Sequence, residues 1–410
     1  MLARGLGRCY GDAAQNAGGQ VFATDGLSYL REFDSETGRV TVGAGMVLEA
    51  LLDVVVPHGW FLSVTPGTRR VTVGGAIAAD VHGKNHHRDG SFGRHVRSLV
   101  LLTPSGDRLT LTAEDSPAAF WATAGGMGLT GVILEATLQL LPVETARVWV
   151  HRQRAGDLDQ LMQLMEMGDR RHRYSVAWID CLARGSALGR SVLICGDHAG
   201  LDELPASARA DPLARSPSAF LRAPPWAPSG LLNRVSIRAF NELYFRRAPR
   251  AEEGRLESLD SFFYPLDAIP DWNRLYGRRG LLQYQFVVPF GHEDAIRAVL
   301  ERLSTAQCPS FLAVIKRMGA ETGPLSFPMP GWTLAVDMPA AGGAPAPLLD
   351  GLDELVAGAG GRIYLAKDSR MRPELLTAMY PRLDEWRRVR GELDTERRMR
   401  SDLARRLSLA

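Results

Sequence analysis

Residues 66–93 read PGTRRVTVGGAIAADVHGKNHHRDGSFG, and this run constrains the fold more than any other part of the chain. Glycines stand at 67, 74, 75, 83, 90 and 93 among small residues, arginines, a lysine and His82, His86 and His87. No amphipathic period runs through it, so neither an ordinary helix nor an ordinary strand is expected. Dense glycine lets a backbone take positive φ and approach a ligand with its N–H groups aimed at anionic oxygens. Ala76, Ala78 and Ala79 keep that approach open. Taken alone, such a run is as readily a glycine-rich surface turn. A second run, ARGLGRCYGD at 3–12, tips the balance, with Gly5 and Gly7 flanked by Arg4 and Arg8 and a third glycine at Gly11. Both look like pyrophosphate-binding backbone, and neither has the strand–GxGxxG–helix setting of a Rossmann fold. The one literal GxGxxG, at Gly126, Gly128 and Gly131, follows a helix-like Pro117–Ala124 and leads into a strand-like Val132–Leu140. That is the wrong order for a dinucleotide fold.

The remaining pattern predicts an α+β chain. Gly38–Ala44 alternates as a strand, and Leu48–Val56 reads as a helix stopped by Pro57. Ser98–Thr103 and Arg108–Thr112 bracket Pro-Ser-Gly-Asp as a hairpin. A domain boundary is expected at Pro142, after which glycine-rich loops give way to plain strands and helices. Strands are read at 174–180, 281–289, 310–316 and 363–367, and helices at 296–303 and 348–359. Residues 205–230 read as a mobile loop, 340–347 as a small-residue linker, and 374–410 as arginine-rich helix. The expected domains are therefore 1–142, 143–361, and a 362–410 segment returning to the first.

Several of these stretches carry a resemblance. RGLGRCYGD, PGTRRVTVGGAIAADVHGKNHH, GSFGRHVRS and FWATAGGMGLTG are similar to the PCMH-type FAD-binding domain of the vanillyl-alcohol-oxidase superfamily. LQYQFVVP (282–289), PLSFPMPGW (324–332), YLAKDSR (364–370) and MYPRLDEW (379–386) extend the likeness over nearly the whole chain. Within the superfamily these runs resemble the branch that oxidises a polyprenyl-phosphate sugar. The resemblance implies FAD contacts at Arg4, Gly5, Leu6, Gly7, Arg8, Cys9, Pro66, Gly67, Thr68, Val71, Gly74, Gly75, Ala78, Ala79, His82, Gly83 and Asn85. It adds Gly128, Gly131, Val132, Ile133 and Lys367, so the glycines that fail as a Rossmann motif still belong to the expected site. Covalent attachment in the superfamily commonly uses a histidine just after the first glycine pair. Arg8 stands there, so non-covalent FAD is expected, and Cys9 replaces the usual serine.

Flavin oxidation of an alcohol moves a hydride to the flavin and the hydroxyl proton to a base or water, and a nearby positive charge stabilises the reduced flavin. Lys367 matches the family's lysine for that role, although a lone lysine is ordinarily a surface residue. His82, Tyr10 and Gln285 match the other catalytic positions. Lys84, Trp178, Phe263, Gln283, Lys316, Thr333 and Ala335 match substrate positions. Three of these depart from the family: Thr333 replaces an asparagine, Ala335 a cysteine, and Phe263 a tyrosine (Tyr264 is adjacent). The implied reaction takes a ribose 2-hydroxyl to the keto sugar, the first half of an epimerisation that a separate short-chain NAD(P)H-dependent keto-reductase completes. An aldonolactone or alditol oxidase of the same superfamily is the alternative, and a non-catalytic remnant is the other. The remnant has a motive: the chain begins two residues before its first glycine run, where the family has a strand–helix–strand lead-in, so a truncated start with weakened flavin binding is an expectation.

Other classes are excluded or bounded by composition. His82, His86 and His87 have no acidic or thiolate partner at ligand spacing, so no metal is expected there, and at least one of His86 and His87 is expected to be solvated. The formal net charge of the 410 residues is +2. Arg387-Arg388, Arg397-Arg398 and Arg405-Arg406 interleave with Glu385, Glu392, Asp394, Glu396 and Asp402, the pattern of a solvated helix face rather than a nucleic-acid surface. Peripheral contact with anionic lipid keeps a motive in the lipid substrate. Cysteines 9, 181, 195 and 308 show no paired spacing, which fits a reducing compartment or buried free thiols. With neither a membrane-spanning apolar run nor a signal-peptide core, a cytoplasmic protein, or one peripheral at the inner membrane, is expected.

Overall fold

A computed structural model of the chain describes residues 1–215, 232–269, 271–340 and 346–409. Most of the loop expected over 205–230, and residues 341–345 of the expected linker, lie outside the described residues. The chain divides into two compact units, Met1–Glu144 with Ala320–Pro328 and Tyr364–Ala410, and Thr145–Gly319 with Met329–Ile363. Residues 320–328 fall within the expected middle segment, 143–361, but join the first unit.

In the first unit β1 (Leu2–Arg4) and β2 (Val21–Ala23) form a short parallel pair. The larger sheet contains β3 (Leu30–Asp34), β4 (Arg39–Gly43), β5 (Trp60–Leu62), β6 (Val96–Leu102), β7 (Arg108–Leu111) and β8 (Val132–Pro142). Its order is β3-β4-β8-β6-β7, all antiparallel, with β5 pairing the end of β8. The β6–β7 hairpin closes at the expected Pro-Ser-Gly-Asp, where Gly106 takes φ +102° and the Thr103 N–H donates to the Asp107 carbonyl at 2.9 Å. Alternation buries Val40 and Val42 of β4 and Ala136, Leu138 and Leu140 of β8. Helix Leu48–Val55 lays Leu48, Leu51, Leu52 and Val55 into the core, and Pro57 then falls inside a 3-10 turn rather than ending the helix outright. The arginine-rich C-terminal stretch is broken into helices Leu376–Met379, Leu383–Leu393 and Asp402–Arg406 rather than one helix. Its solvated-face pattern holds for Arg388, which pairs with Glu392, but not for Arg390. Arg390 is 4% exposed and donates to the carbonyls of Leu129, Leu409 and Met399.

The second unit is built on one antiparallel sheet of eight strands: β9 (Arg147–Ala155), β10 (Tyr174–Ile179), β11 (Ser191–His198), β12 (Glu253–Ser258), β13 (Leu281–Pro289), β14 (Ala313–Met318), β15 (Gly331–Pro339) and β16 (Arg362–Ile363). The spatial order is β12-β9-β11-β10-β14-β15-β13-β16. Helices Leu158–Arg171, Glu293–Thr305 and Ala346–Gly358 pack against it and bury Leu161, Met165, Val299, Leu300, Leu352 and Val356. The α+β class expected from the pattern is the fold observed. Among the described residues no helix is long and apolar enough to cross a membrane.

Candidate active site

The first glycine run leaves β1 at Arg4 and turns at Gly7, whose φ of +61° favours glycine. Leu6, Gly7 and Arg8 are exposed. Gly5 lies so close to Thr72 that a Cβ there would stand 2.2 Å from Thr72 Oγ1. Thr72 caps helix Val73–Ala78 by accepting the Gly75 N–H at 3.2 Å. The glycine run therefore contains short helices, Val73–Ala78 and His86–Asp89, that no periodicity announces because each spans only one or two turns. Val73, Ala76 and Ile77 face the core, while Gly75 is exposed and Gly74, Ala78 and Ala79 are half-buried. The outward side of this helix thus carries almost no side chain, as a cradle for a bulky ligand requires.

The third run joins at the same place. Gly125 and Met127 donate N–H bonds to the Ile77 and Ala78 carbonyls at 3.0 and 2.9 Å. Gly128 takes φ +74°, and at Gly131, φ +155°, a Cβ would meet the Leu102 carbonyl at 2.6 Å. Val132 and Ile133 follow in β8. Pro66, Gly67 and Thr68 form a half-exposed turn in which Thr68 Oγ1 accepts the Arg70 N–H at 3.1 Å. The Val71 carbonyl accepts from Leu48. Arg69 is neutralised by Glu49 at 2.8 Å, so Arg4 and Arg8 are the exposed cations of the first run.

Lys367 sits in a turn rather than in the expected strand, since β16 ends at Ile363 and both the Lys367 and Asp368 N–H groups donate to the Tyr364 carbonyl. The first run is laced to this turn. The Tyr10 N–H donates to the Ala366 carbonyl at 3.1 Å, and a Cβ on Gly11 would fall 1.7 Å from the Asp368 carbonyl oxygen. Lys367 Nζ lies 3.8 Å from the centre of the Tyr10 ring, a cation–π contact. Burial pushes the Cys9 thiol up, and the Lys367 charge pulls it the other way. Arg406 locks the arrangement with a fork onto Asp12 at 2.8 and 2.9 Å and a contact to Asp368 at 2.8 Å. Burial alone would lower the Arg406 pKa; its carboxylate partners overcome that and raise it.

His82 is buried beside Tyr364 and Phe327, with ring centres 5.1 and 5.5 Å away. Tyr364 donates its hydroxyl to the Ala79 carbonyl at 2.7 Å. Gly83 packs against Thr65 and Asn85, and the Asn85 amide is engaged by Ser63 and Asp89 at 2.8 and 2.6 Å. Lys84 is half-buried. Contrary to the expectation that His86 or His87 is solvated, His86 is 2% exposed and His87 is half-buried. Sequence reasoning passed over Asp80, which is buried at φ +38° and accepts bonds from Ser91, Gly93 and Thr322. Burial raises its carboxyl pKa, and these donors oppose the rise. Asp80 ties the glycine run to residues 320–328.

In the second unit the register brings several of the expected substrate positions, distant in sequence, onto one sheet face. Gln283 pairs with Asp337, Gln285 with Ala335, and Lys316 with Thr333; Val314 pairs with both Ala335 and Trp178. Residues directly opposite share a face and alternate positions repeat it, so Trp178, Gln283, Gln285, Lys316, Thr333 and Ala335 line one side. Gln285 Nε2 donates to Thr333 Oγ1 at 3.3 Å, and Thr333 donates to the Phe286 carbonyl at 2.8 Å. Trp178 Nε1 donates to the Phe311 carbonyl at 2.9 Å. Asp337, hydrogen-bonded to Gln283, is a fully buried carboxylate on the same face. Its place two residues beyond Ala335 was the signal that could have found it. Phe263 lies apart on helix Leu259–Phe263, edge-on to Tyr174 at 4.9 Å, and neighbouring Tyr264 is also buried.

The glycine-lined, arginine-flanked surface of the first unit suits a dinucleotide cofactor, and comparison with known proteins names it. A family described as FAD binding domain matches residues 1–112. The fold and this match define an FAD-dependent oxidoreductase. The chain is 43% identical over 413 residues to decaprenylphosphoryl-β-D-ribose oxidase of Mycolicibacterium smegmatis, covering 100% of this chain and 89% of that protein. It is 44% identical over 375 residues to an uncharacterized Streptomyces coelicolor protein, covering 89% of this chain and 100% of that one. Bovine L-gulonolactone oxidase is 35% identical over 116 residues, 28% of this chain and 26% of the relative. The chain belongs to the decaprenylphosphoryl-β-D-ribose oxidase family, and its cofactor is FAD.

Proposed function

We propose that this chain oxidises the ribose 2-hydroxyl of decaprenylphosphoryl-β-D-ribose to the 2-keto sugar. The observation that carries the reading is the 43% identity along the full chain, which takes in the glycine runs, the Lys367 turn and the polar sheet face alike. Bound FAD supplies the hydride acceptor. Lys367, held over Tyr10, provides the fixed positive charge that favours a reduced, electron-rich flavin. His82 is the candidate to receive the hydroxyl proton, being the imidazole of the glycine run that packs on Tyr364 in the Lys367 turn. Gln283, Gln285 and Thr333 offer donors and acceptors to sugar hydroxyls, Lys316 and Lys84 offer charge to the phosphate, and Trp178 and Ala335 shape the apolar remainder. Arg8 in place of a tethering histidine supports non-covalent FAD.

A keto sugar needs a second enzyme to become the epimer, so a separate NAD(P)H-dependent short-chain reductase is the proposed partner. A lipid substrate favours peripheral membrane contact. Helix Arg234–Arg247 supports it by exposing Val235, Phe240 and Leu243 beside Arg246 and Arg247. The lactone-oxidase reading is less favoured, because the likeness to L-gulonolactone oxidase covers only 28% of the chain. Anaerobic mixing with a polyprenylphosphoryl ribose, and separately with an aldonolactone, tests the choice. Bleaching of the flavin by the first, with a product lighter by two hydrogens, is expected; bleaching by the lactone alone overturns the proposal.

A further inference from the structure

On the opposite face of the eight-stranded sheet from Gln285 and Lys316, three ligand-type side chains meet that the proposed reaction does not use. His151 is on β9, paired with Cys195 of β11 and Gly254 of β12. His172 is the residue that ends helix Leu158–Arg171, and Glu252 lies in the turn before β12. One ligand atom from each falls within 4.8 Å of the others. His151 Nδ1 is 3.2 Å and His172 Nε2 3.9 Å from the same oxygen, Glu252 Oε1. Ligand atoms about 2.1 Å from a tetrahedral zinc ion stand roughly 3.4 Å from one another, so only a small closure separates this cluster from coordination.

The surroundings prepare each donor. His172 Nδ1 lies 2.7 Å from Asp197 Oδ2, and Asp197 is itself fixed by the Arg173 N–H at 2.8 Å. With Nδ1–H donated to a carboxylate, Nε2 carries the lone pair on the Glu252 side, the arrangement by which outer carboxylates orient metal-binding histidines. Arg171 takes the other Glu252 oxygen, Oε2, at 3.3 Å. Gly254 leaves space for the His151 ring, since a Cβ there would come 3.2 to 3.3 Å from its Cε1 and Nδ1. The imidazole rings lie 4.7 Å apart. Cys195 lines the same pocket, but its Sγ is not among the ligand atoms that meet within 4.8 Å.

We propose that His151, His172 and Glu252 bind one zinc-type divalent cation, with Asp197 as the positioning carboxylate and water completing the coordination. The site ties a helix end to two strands away from the candidate substrate face, so its role is structural. The test is calorimetric titration of chelator-treated, desalted flavoprotein with zinc. One equivalent is expected to bind in the micromolar range or tighter and to raise the melting temperature. His151→Ala and Glu252→Gln should each weaken binding at least a hundredfold, and Asp197→Asn about tenfold, with flavin reduction by substrate unchanged. Absence of a single-equivalent event in the unmodified protein overturns the proposal, as does equal affinity in Glu252→Gln, an exposed position whose replacement leaves the fold intact.

Discussion

Replacing Arg406 with methionine tests how the C-terminal segment supports the flavin site. The guanidinium joins Asp12, just past the first glycine run, to Asp368, beside Lys367, and also donates to the Met371 carbonyl at 2.9 Å. Its removal takes away the cation 2.8 Å from Asp368, whose side chain is 2% exposed. Breaking a fully buried pair costs about 3–5 kcal/mol. Arg406 and Asp12 keep 24% and 20% side-chain exposure, so water recovers part of that, and about 2–3 kcal/mol is the better figure. For a unit of this size each kcal/mol moves a melting midpoint by about 2–4 °C, so a loss of roughly 5–10 °C is expected. Because Tyr10 and Lys367 sit on the two segments being held, FAD should also dissociate more readily. Differential scanning fluorimetry with and without added FAD reads both effects. Arg406→Lys, which keeps the charge but not the fork, should recover about half. A methionine variant that melts within about 1 °C of the parent and retains its flavin refutes the reasoning.

Lys367→Ala should slow single-turnover flavin bleaching about a hundredfold or more, equivalent to roughly 3 kcal/mol, and near-normal bleaching removes Lys367 from the site. Gly11→Ala places a Cβ against the Asp368 carbonyl and should yield protein with little flavin colour; full flavin content contradicts the close packing. FAD should appear in the supernatant after acid precipitation, since Arg8 cannot tether it, and yellow colour kept in the pellet shows a covalent link. His198 adds a pH dependence: burial first, then Arg173, lowers its pKa to about 4 from 6.5. The unfolded chain therefore takes up its proton at higher pH than the folded one, and stability falls as pH drops from about 6.5 towards 4. The loss is at most about 3 kcal/mol and smaller in practice because the residue is only half-buried. Urea midpoints across that range should flatten in His198→Gln, and an unchanged slope assigns the effect elsewhere.

What could be read from the sequence depended on how local each signal was. The β6–β7 hairpin, strand β13 and helix Glu293–Thr305 have patterns contained within their own lengths, and their cores matched those patterns. The helix Val73–Ala78 has too few residues for a period, and the glycines that make it useful also hide it. Lys367 follows an apolar run that looks like a strand, but the turn onto Tyr364 follows from packing of the first glycine run. Arg390 lies in a stretch whose interleaved acids ordinarily mean solvent, yet three backbone carbonyls make its burial tolerable. His151, His172 and Glu252 are scattered in sequence and meet only through strand register and a helix end. Trp178, Gln283, Gln285, Lys316, Thr333 and Ala335 share one sheet face for the same reason, as does Asp337.

Anaerobic stopped-flow absorbance of the FAD-loaded protein mixed with decaprenylphosphoryl-β-D-ribose tests the central claim most directly. Loss of the oxidised-flavin band, saturating with substrate and accompanied by one equivalent of the 2-keto sugar, is the predicted result. A fully flavinated, folded protein whose spectrum does not change at saturating substrate would contradict it.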